Sequence, residues 1–365
     1  MKNIAVFYGG QSVEHDVSVI TGVMTVNSVN REKFNAIPIY VHNDGKFYTG
    51  ELLRDLDNYK NLNFKKLTAV TLVCGENVLY AVKGKRIKPL YAISVAINCM
   101  HGERGEDGSL AGLLRMCAIP LASPQTLGSA VCMDKCFTKT VMRGLKIKTL
   151  PSVQIRSIAD CERVKKKLKF PVIIKPACLG SSIGIRSAKN DEELNSAISY
   201  ALRFGEKAIA EPMLNDFTEI NCAAYRKING EVKVSECERP VGREKFLSFG
   251  DKYQTGTRVF PADISKEASD KIKSVTERAY NELLLDGVVR IDYFLVGEDL
   301  YINEINTVPG SLAYYLFGQT LRDFTTMLDE LITAAIKKGA FESTTQKTYK
   351  SGILNMSGGK SSKRL

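Results

Sequence analysis

Apolar residues along this chain switch between two periods. Residues 4–8 form an unbroken apolar run that stops at Gly9-Gly10, and Val13, Val17, Ile20, Val23 and Met24 then follow at helical spacing. Residues 36–41 are a second short run, ended by Asn43-Asp44-Gly45, a strong turn signal. Residues 94–98 are a third, followed by a glycine-rich loop and a helical pattern over 109–117. Strand and helix in alternation predict an α/β unit with a parallel sheet over residues 1–122.

A second unit is expected over 123–211. It opens with a helix carrying Met133-Asp134-Lys135. A strand, a helix and an apolar strand over 172–176 come next, then a loop over 177–184, a helix over 191–204 and a strand over 208–211. From Pro212 the pattern becomes antiparallel, which predicts an α+β part over 212–343. Strands over 220–225 and 232–238 flank Asn229-Gly230, a favoured two-residue hairpin turn. A long amphipathic helix covers 266–285, two strands surround Gly297, and a last helix ends near Ile336. Residues 344–365, rich in Ser, Gly and Lys, read as a basic, disordered tail.

A length of 365 residues suits two or three domains. No apolar run reaches the ~20 residues of a membrane span, and the N-terminus opens as a strand rather than a signal peptide. A cytoplasmic protein is expected. The nine cysteines include no Cys-x-x-Cys pair and read as reduced thiols, and three histidines are too few for a multi-histidine metal centre. The net charge of +11 suits an anionic substrate, yet five of those charges lie in the tail and another basic cluster (Arg163 to Lys169) reads as an exposed helix. Without interleaved aromatics, neither predicts nucleic-acid binding.

Candidate chemistry is densest around Gly297. On a strand, alternate side chains share a face, so Arg290 pairs with Asp292 and Glu304 with Asn306. A three-residue loop, 297–299, sets Asp292 opposite Glu304 and Arg290 opposite Asn306, whereas a two-residue loop sets Ile291 opposite Glu304 and scatters the group. The first register is the one expected. Two carboxylates and an amide oxygen then form a hard-oxygen site suited to Mg²⁺, and a solvated hairpin face is the competing reading. Lys175 closes the apolar strand over 172–176, and the Gly180-Ser181-Ser182-Ile183-Gly184 loop after it could cradle phosphate with backbone N–H groups. Lys135 is a second phosphate candidate. No P-loop and no Gly-x-Gly-x-x-Gly follows a strand, which argues against a dehydrogenase.

Eight segments in order carry a resemblance. They are Gly9 to Ser18, His101 to Gly108, Met133-Asp134-Lys135, Ile174-Lys175-Pro176, Gly180 to Gly184, Asp251-Lys252-Tyr253, Arg290-Ile291-Asp292 and Asn303 to Gly310. Together they resemble the D-alanine–D-alanine ligases of the ATP-grasp superfamily, over about residues 1–338. The resemblance implies a three-domain ATP-grasp fold and ADP-forming ligation of two D-alanines through an acyl phosphate, for peptidoglycan precursors. Lys135, Lys175, Ser182, Glu211, Leu214, Glu219 and Lys252 would bind ATP. Asp292, Glu304 and Asn306 would hold two Mg²⁺ ions, with Mn²⁺ as a replacement. Glu14 would take the first D-alanine's ammonium, in a set with Ser181 and Tyr253 and beside His101. Arg290 and the Gly310 N–H would face the oxyanion, under a closing lid near residues 250–257. A homodimer is implied, with no nucleic-acid or membrane partner.

Three departures from the family pattern stand out. The segment from Tyr253 to Pro261 is short for the lid, and Ala111 replaces a usual glutamine. Tyr315 stands where a serine normally contacts the acceptor's carboxylate, so Ser311, Tyr315 and Leu316 are the acceptor candidates. D-alanine is the expected acceptor, with D-serine or another small D-acceptor as the alternative. A catalytically silent ATP-binding protein is the reading from another class, and the intact lysine and carboxylate set speaks against it.

Overall fold

The computed structural model describes residues 1–241 and 257–351. Its first strand, β1 (Lys2–Gly9), lies between parallel neighbours β2 (Phe34–Val41) and β7 (Val95–Asn98). Alternate β1 residues pack on opposite faces: Ile4, Val6 and Tyr8 with Val19, Val23 and Val26 of α1 (His15–Ser28), and Ala5 and Phe7 with Leu110 and Leu114 of α2 (Ser109–Met116). Both faces are covered, which is why the strand reads as a continuous apolar run. The expected helical stripe is only partly right, since Val13 and Ile20 are exposed while Val17, Val19, Val23 and Val26 are buried. Helix α1 touches both β1 and the C-terminal helix, so its buried surface is broader than one stripe.

The parallel part of this sheet is extended by strands that the apolar pattern did not signal: β3 (Phe47–Thr49), β4 (Thr68–Leu72), β5 (Val78–Lys83) and β6 (Arg86–Ala92). They add antiparallel beyond β2, giving the order β6-β5-β4-β3-β2-β1-β7. Every residue of β6 is exposed, so no period could appear there.

The helix expected to carry Met133-Asp134-Lys135 is two helices, α3 (Thr126–Met133) and α4 (Lys135–Gly144). Asp134 breaks the run with extended dihedrals and caps α4, accepting from the N–H groups of Cys136 and Phe137 at 2.9 and 3.2 Å. Lys135 therefore starts a helix. An antiparallel sheet follows, ordered β10-β9-β11-β8: β8 (Val153–Ile155), α5 (Cys161–Lys167), β9 (Val172–Pro176), β10 (Arg186–Ala188), α6 (Asp191–Ala201) and β11 (Ala208–Pro212) in chain order.

The third sheet, β13-β12-β16-β17, is also antiparallel. It is built from β12 (Thr218–Arg226), β13 (Val232–Val234), β16 (Val288–Val296) and β17 (Asp299–Asn306), with β14 (Arg239–Val241) and β15 (Thr257–Val259) paired separately. Helix α7 (Lys266–Glu282) buries Ile272, Ala279 and Tyr280 against Val289, Ile291 and Tyr293. Helix α8 (Leu321–Thr344) runs into the segment read as a tail, of which residues 352–365 lie outside the described part. No described helix is long and apolar enough to cross a membrane.

Candidate active site

The β16–β17 hairpin holds the pairing expected from the sequence by a different route. Asp292 faces Glu304 and Arg290 faces Asn306. The connection is a two-residue turn, with Val296 opposite Asp299, not the three-residue loop that was expected. Such a turn alone would have set Ile291 opposite Glu304. The lost residue is restored by a bulge beside Asp292: Tyr293 faces Ile302, Asp292 faces Glu304, and Asn303 is the extra residue.

Asp292 is 1% exposed and fully engaged. Arg290 donates to its two oxygens at 2.7 and 2.8 Å, and the Asn306 amide donates at 3.0 Å. Burial works against the Arg290 charge, but Asp292 outweighs it and holds the guanidinium protonated more firmly than usual. Across the hairpin, the Lys135 ammonium lies 3.3 Å from Glu304 and donates to the Leu179 carbonyl at 2.9 Å. Cations already gather at both carboxylates. Among the described residues no three His, Cys, Asp or Glu side chains group as a self-sufficient metal site. Two carboxylates plus the Asn306 amide instead fit a hard cation that completes its shell with phosphate and water, as Mg²⁺ does.

Lys175 leaves β9 between Glu211, at 2.8 Å, and Asn303, at 3.3 Å. The other Glu211 oxygen lies 2.5 Å from Lys139, an ion pair off hydrogen-bond alignment that the sequence reading missed. Lys139 stands one helical turn after Lys135 on α4, and at 1% exposure it is buried. Burial alone would raise the Glu211 pKa, yet the two ammonium groups bring it down to about 2. A pocket opens beside this triad, lined by Leu150, Ile173, Pro212, Leu214, Phe217 and Phe294. Its walls are apolar and one end is ionic. Leu214 is part of the wall, and Glu219 lies on β12 opposite Phe294 in register.

The Gly180–Gly184 loop closes on the N-terminal unit. Glu14 ends up as the N-cap residue of α1, 7% exposed, where it accepts a hydrogen bond from the Ser181 hydroxyl and makes no cap contact of its own. A β-carbon on Gly180 would stand 3.0 Å from both Glu14 oxygens, so a side chain there would press the Glu14 carboxylate out of place. Ser181 and Ser182 both take left-handed dihedrals, with φ of 55° and 59°. His101 Nε2 is 3.1 Å from the Thr21 hydroxyl, which also accepts from the Ser311 N–H at 3.1 Å. Burial, helped by the Arg290 charge, brings the His101 pKa down to about 4. Glu106, inside the recognised motif but given no role, accepts from the N–H groups of Gly102 and Val308 at 2.9 and 3.0 Å, tying the two ends of the site together. Burial and then the Glu14 charge push its pKa up to about 8.

Gly310 opens a tight turn in which Ser311, Leu312 and Ala313 have φ of 52°, 48° and 47°. Left-handed dihedrals cost roughly 1–2 kcal/mol per residue, and burial of Leu312, Ala313 and Leu316 in the main core holds the turn. Tyr315 lies against Arg290, and the Arg258 guanidinium sits 4.5 Å from its ring centre. Lys252 and Tyr253 lie outside the described residues, as does nearly all of the expected lid.

Residues 3–124 match the family model for the D-ala D-ala ligase N-terminus, and residues 146–337 the one for the D-ala D-ala ligase C-terminus. The chain belongs to the D-alanine–D-alanine ligase family. It is 34% identical to the D-alanine–D-alanine ligase of Thermosipho africanus over 367 residues, covering 96% of each chain. Over 351 residues it is 32% identical to that of Thermosipho melanesiensis, covering 93% of this chain and 94% of the other. Among solved structures, the VanG D-Ala:D-Ser ligase of Enterococcus faecalis superposes with a TM-score of 0.79 at 28% identity, over 92% of this chain and 99% of that one. The D-alanine–D-alanine ligase of Coxiella burnetii shares the fold, with a TM-score of 0.81 at 24% identity over 94% and 96% of the two chains.

Proposed function

We propose that the chain joins two D-alanines, with ATP as phosphate donor, through a D-alanyl phosphate for peptidoglycan precursors. The observation that carries this reading is the Asp292–Glu304 pair on the bulged hairpin, flanked by Arg290, Lys135 and Lys175 in a chain of this family. ATP would lay its base in the Leu214–Phe294 pocket, near Glu211 and Glu219, and its phosphates along Lys135, Lys175 and the Ser182 turn. Asp292, Glu304 and Asn306 would hold two Mg²⁺ ions, or Mn²⁺ in their place, which when bound neutralise phosphate charge.

Glu14, oriented by Ser181, takes the ammonium of the first D-alanine, close to neutral His101 and with Tyr253 from the lid segment. That places the D-alanine carboxylate for attack on the γ-phosphorus, forming the acyl phosphate and releasing ADP, while Lys252 steadies the transferred group. The second D-alanine's amine then attacks the acyl carbon. The tetrahedral oxyanion faces Arg290 and the Gly310 N–H before phosphate leaves, a charge that preorganised donors stabilise far better than water does. A cytoplasmic homodimer fits this reading.

D-serine as the acceptor is the second reading. It is favoured by the similarity to a D-Ala:D-Ser ligase and by Tyr315 at the serine position. Phosphate release from ATP and Mg²⁺ with D-alanine, L-alanine, D-serine or D-lactate tests both. D-alanine alone is expected to support turnover. A requirement for D-serine beside D-alanine would favour the second reading, and no D-alanine-dependent release would end the first.

A further inference from the structure

We infer that Arg258 receives the acceptor's carboxylate, its guanidinium set between the rings of Tyr315 and Phe260. The inference rests on the ligase reading above and assigns the acceptor half of that site. An acceptor amino acid brings a carboxylate into a partly buried cleft, where an unpaired charge is costly. Tyr315 occupies the place expected for a serine hydroxyl, and the Ser311 N–H is committed to Thr21. The nearby cations are also engaged: Arg290 with Asp292 at 2.7 and 2.8 Å, Lys135 with the Leu179 carbonyl at 2.9 Å as well as Glu304, Lys175 with Glu211 at 2.8 Å.

Arg258 differs in two ways. Its ion pair among the described residues is with Glu238 at 3.4 Å, long against the roughly 2.7–2.9 Å of a strong charge-assisted bond. Its side chain is 38% exposed while Glu238 is 6% exposed, so the cation and not its partner is open to an incoming anion. Two rings lie beside the guanidinium, Tyr315 at 4.5 Å and Phe260 at 5.5 Å. The same Tyr315 lies against Arg290. One ring thus joins the guanidinium to the oxyanion side of the hairpin, and a carboxylate on Arg258 leaves the acceptor's amine directed along Tyr315 toward Arg290. Buried Glu238, held by Asn221 at 3.3 Å, keeps Arg258 in place. The acceptor must therefore be a carboxylate-bearing amine, and the Tyr315 ring keeps it small.

The test compares D-alanine with D-alaninamide as acceptors, with D-alanine as donor, quantifying the two products by mass spectrometry. The native enzyme is expected to prefer D-alanine by about 10- to 100-fold in kcat/KM, the range of a hydrogen bond to a charged group. Arg258→Gln should lose that factor for D-alanine and with it the preference, Arg258→Lys should recover part, and the KM for ATP should stay. D-alanine-dependent scrambling of ¹⁸O between the β–γ bridge and non-bridge positions of ATP reports the donor half alone and should also persist. If Arg258 merely neutralises Glu238, Glu238→Gln in the Arg258→Gln background restores acceptor use, and the inference is overturned. A preference retained in Arg258→Gln, or absent from the native enzyme, overturns it equally. Absence of any D-alanine-dependent ATP turnover in the native enzyme would instead remove the underlying ligase reading.

Discussion

The Lys175 ammonium lies 3.3 Å from the Oδ1 of Asn303, the one residue of the paired stretch of β17 with no partner on β16. One extra residue therefore does two things: it keeps Asp292 opposite Glu304, and it supplies a neutral acceptor to a lysine that Glu211 already holds at 2.8 Å. Asn303→Ala removes the second contribution and leaves the ion pair. The KM for ATP is expected to rise by about 3- to 10-fold with kcat nearly unchanged, the size of one modest hydrogen bond. Steady-state kinetics decide it, and a collapse of kcat would mean that the bulge itself depends on the amide.

Glu304→Gln is the cleaner test of the metal-binding proposal. Its side chain is 20% exposed, and Lys135, which it meets at 3.3 Å, also donates to the Leu179 carbonyl at 2.9 Å, so that ammonium keeps a partner when the charge is lost. Turnover is expected to fall by at least about 100-fold while thermal stability stays close to that of the native chain. Asp292→Asn would also lose activity, but it strands the buried Arg290 guanidinium, a defect worth roughly 3–5 kcal/mol in comparable cases. Melting curves separate the two variants; Glu304→Gln with native turnover would end the metal role.

Glu211 makes the opposite kind of prediction, about folding. It is 1% exposed and neutralises both Lys139 and Lys175. Glu211→Gln leaves two buried ammonium groups without a counter-charge, and an expected loss of roughly 3–5 kcal/mol follows. The sign of the pH dependence is set by a carboxyl held down at about 2 against an ordinary 4.5. Its contribution is complete above pH 4.5 and is lost as pH falls through the folded value of about 2. Denaturant midpoints of variant and native chain should therefore converge on acidification below pH 4.5. A constant gap down to pH 3 would contradict this account.

Period-two reasoning found the face that Arg290, Asp292, Glu304 and Asn306 share, because strand geometry depends only on neighbours in sequence. The route to the register was not legible. A hairpin turn and a bulge each shift pairing by one residue, and only their sum was constrained by the site. Lys139 passed unnoticed because its meaning depends on Glu211, two elements away. Glu106, Glu238 and Arg258 were missed for the same reason: a charge with partners in the fold looks like any surface charge until those partners are in place. The outer strand β6 was missed because an exposed strand has no face to bury and hence no period, and β3, β4 and β5 because they are short and bury only Thr49, Val70, Leu79 and Ala81. The left-handed turns at Ser181-Ser182 and Ser311–Ala313 gave no warning either, since tertiary packing, and not glycine, holds them.

His101 completes the predictions, because its neutrality is a consequence of where the fold puts it. The ring is 4% exposed, bonded to Thr21, and its pKa is brought down to about 4 by burial and then by Arg290. Between pH 6.5 and 4 the unfolded chain binds a proton that the folded chain refuses. Stability from this residue is thus complete above pH 6.5 and declines as the pH approaches 4, by an amount on the order of 3 kcal/mol. His101→Gln keeps a polar partner for Thr21 and removes the titration. Glu106 titrates in the opposite sense, its raised pKa making stability fall as pH rises from 4.5 to about 8, but it is common to both proteins and cancels in their difference. The unfolding free energy of the native chain minus that of His101→Gln should shrink from pH 7 to pH 4.5. A difference that stays level would show that His101 takes up its proton equally in the folded and unfolded chains, and burial would not be what keeps the imidazole neutral below pH 6.5.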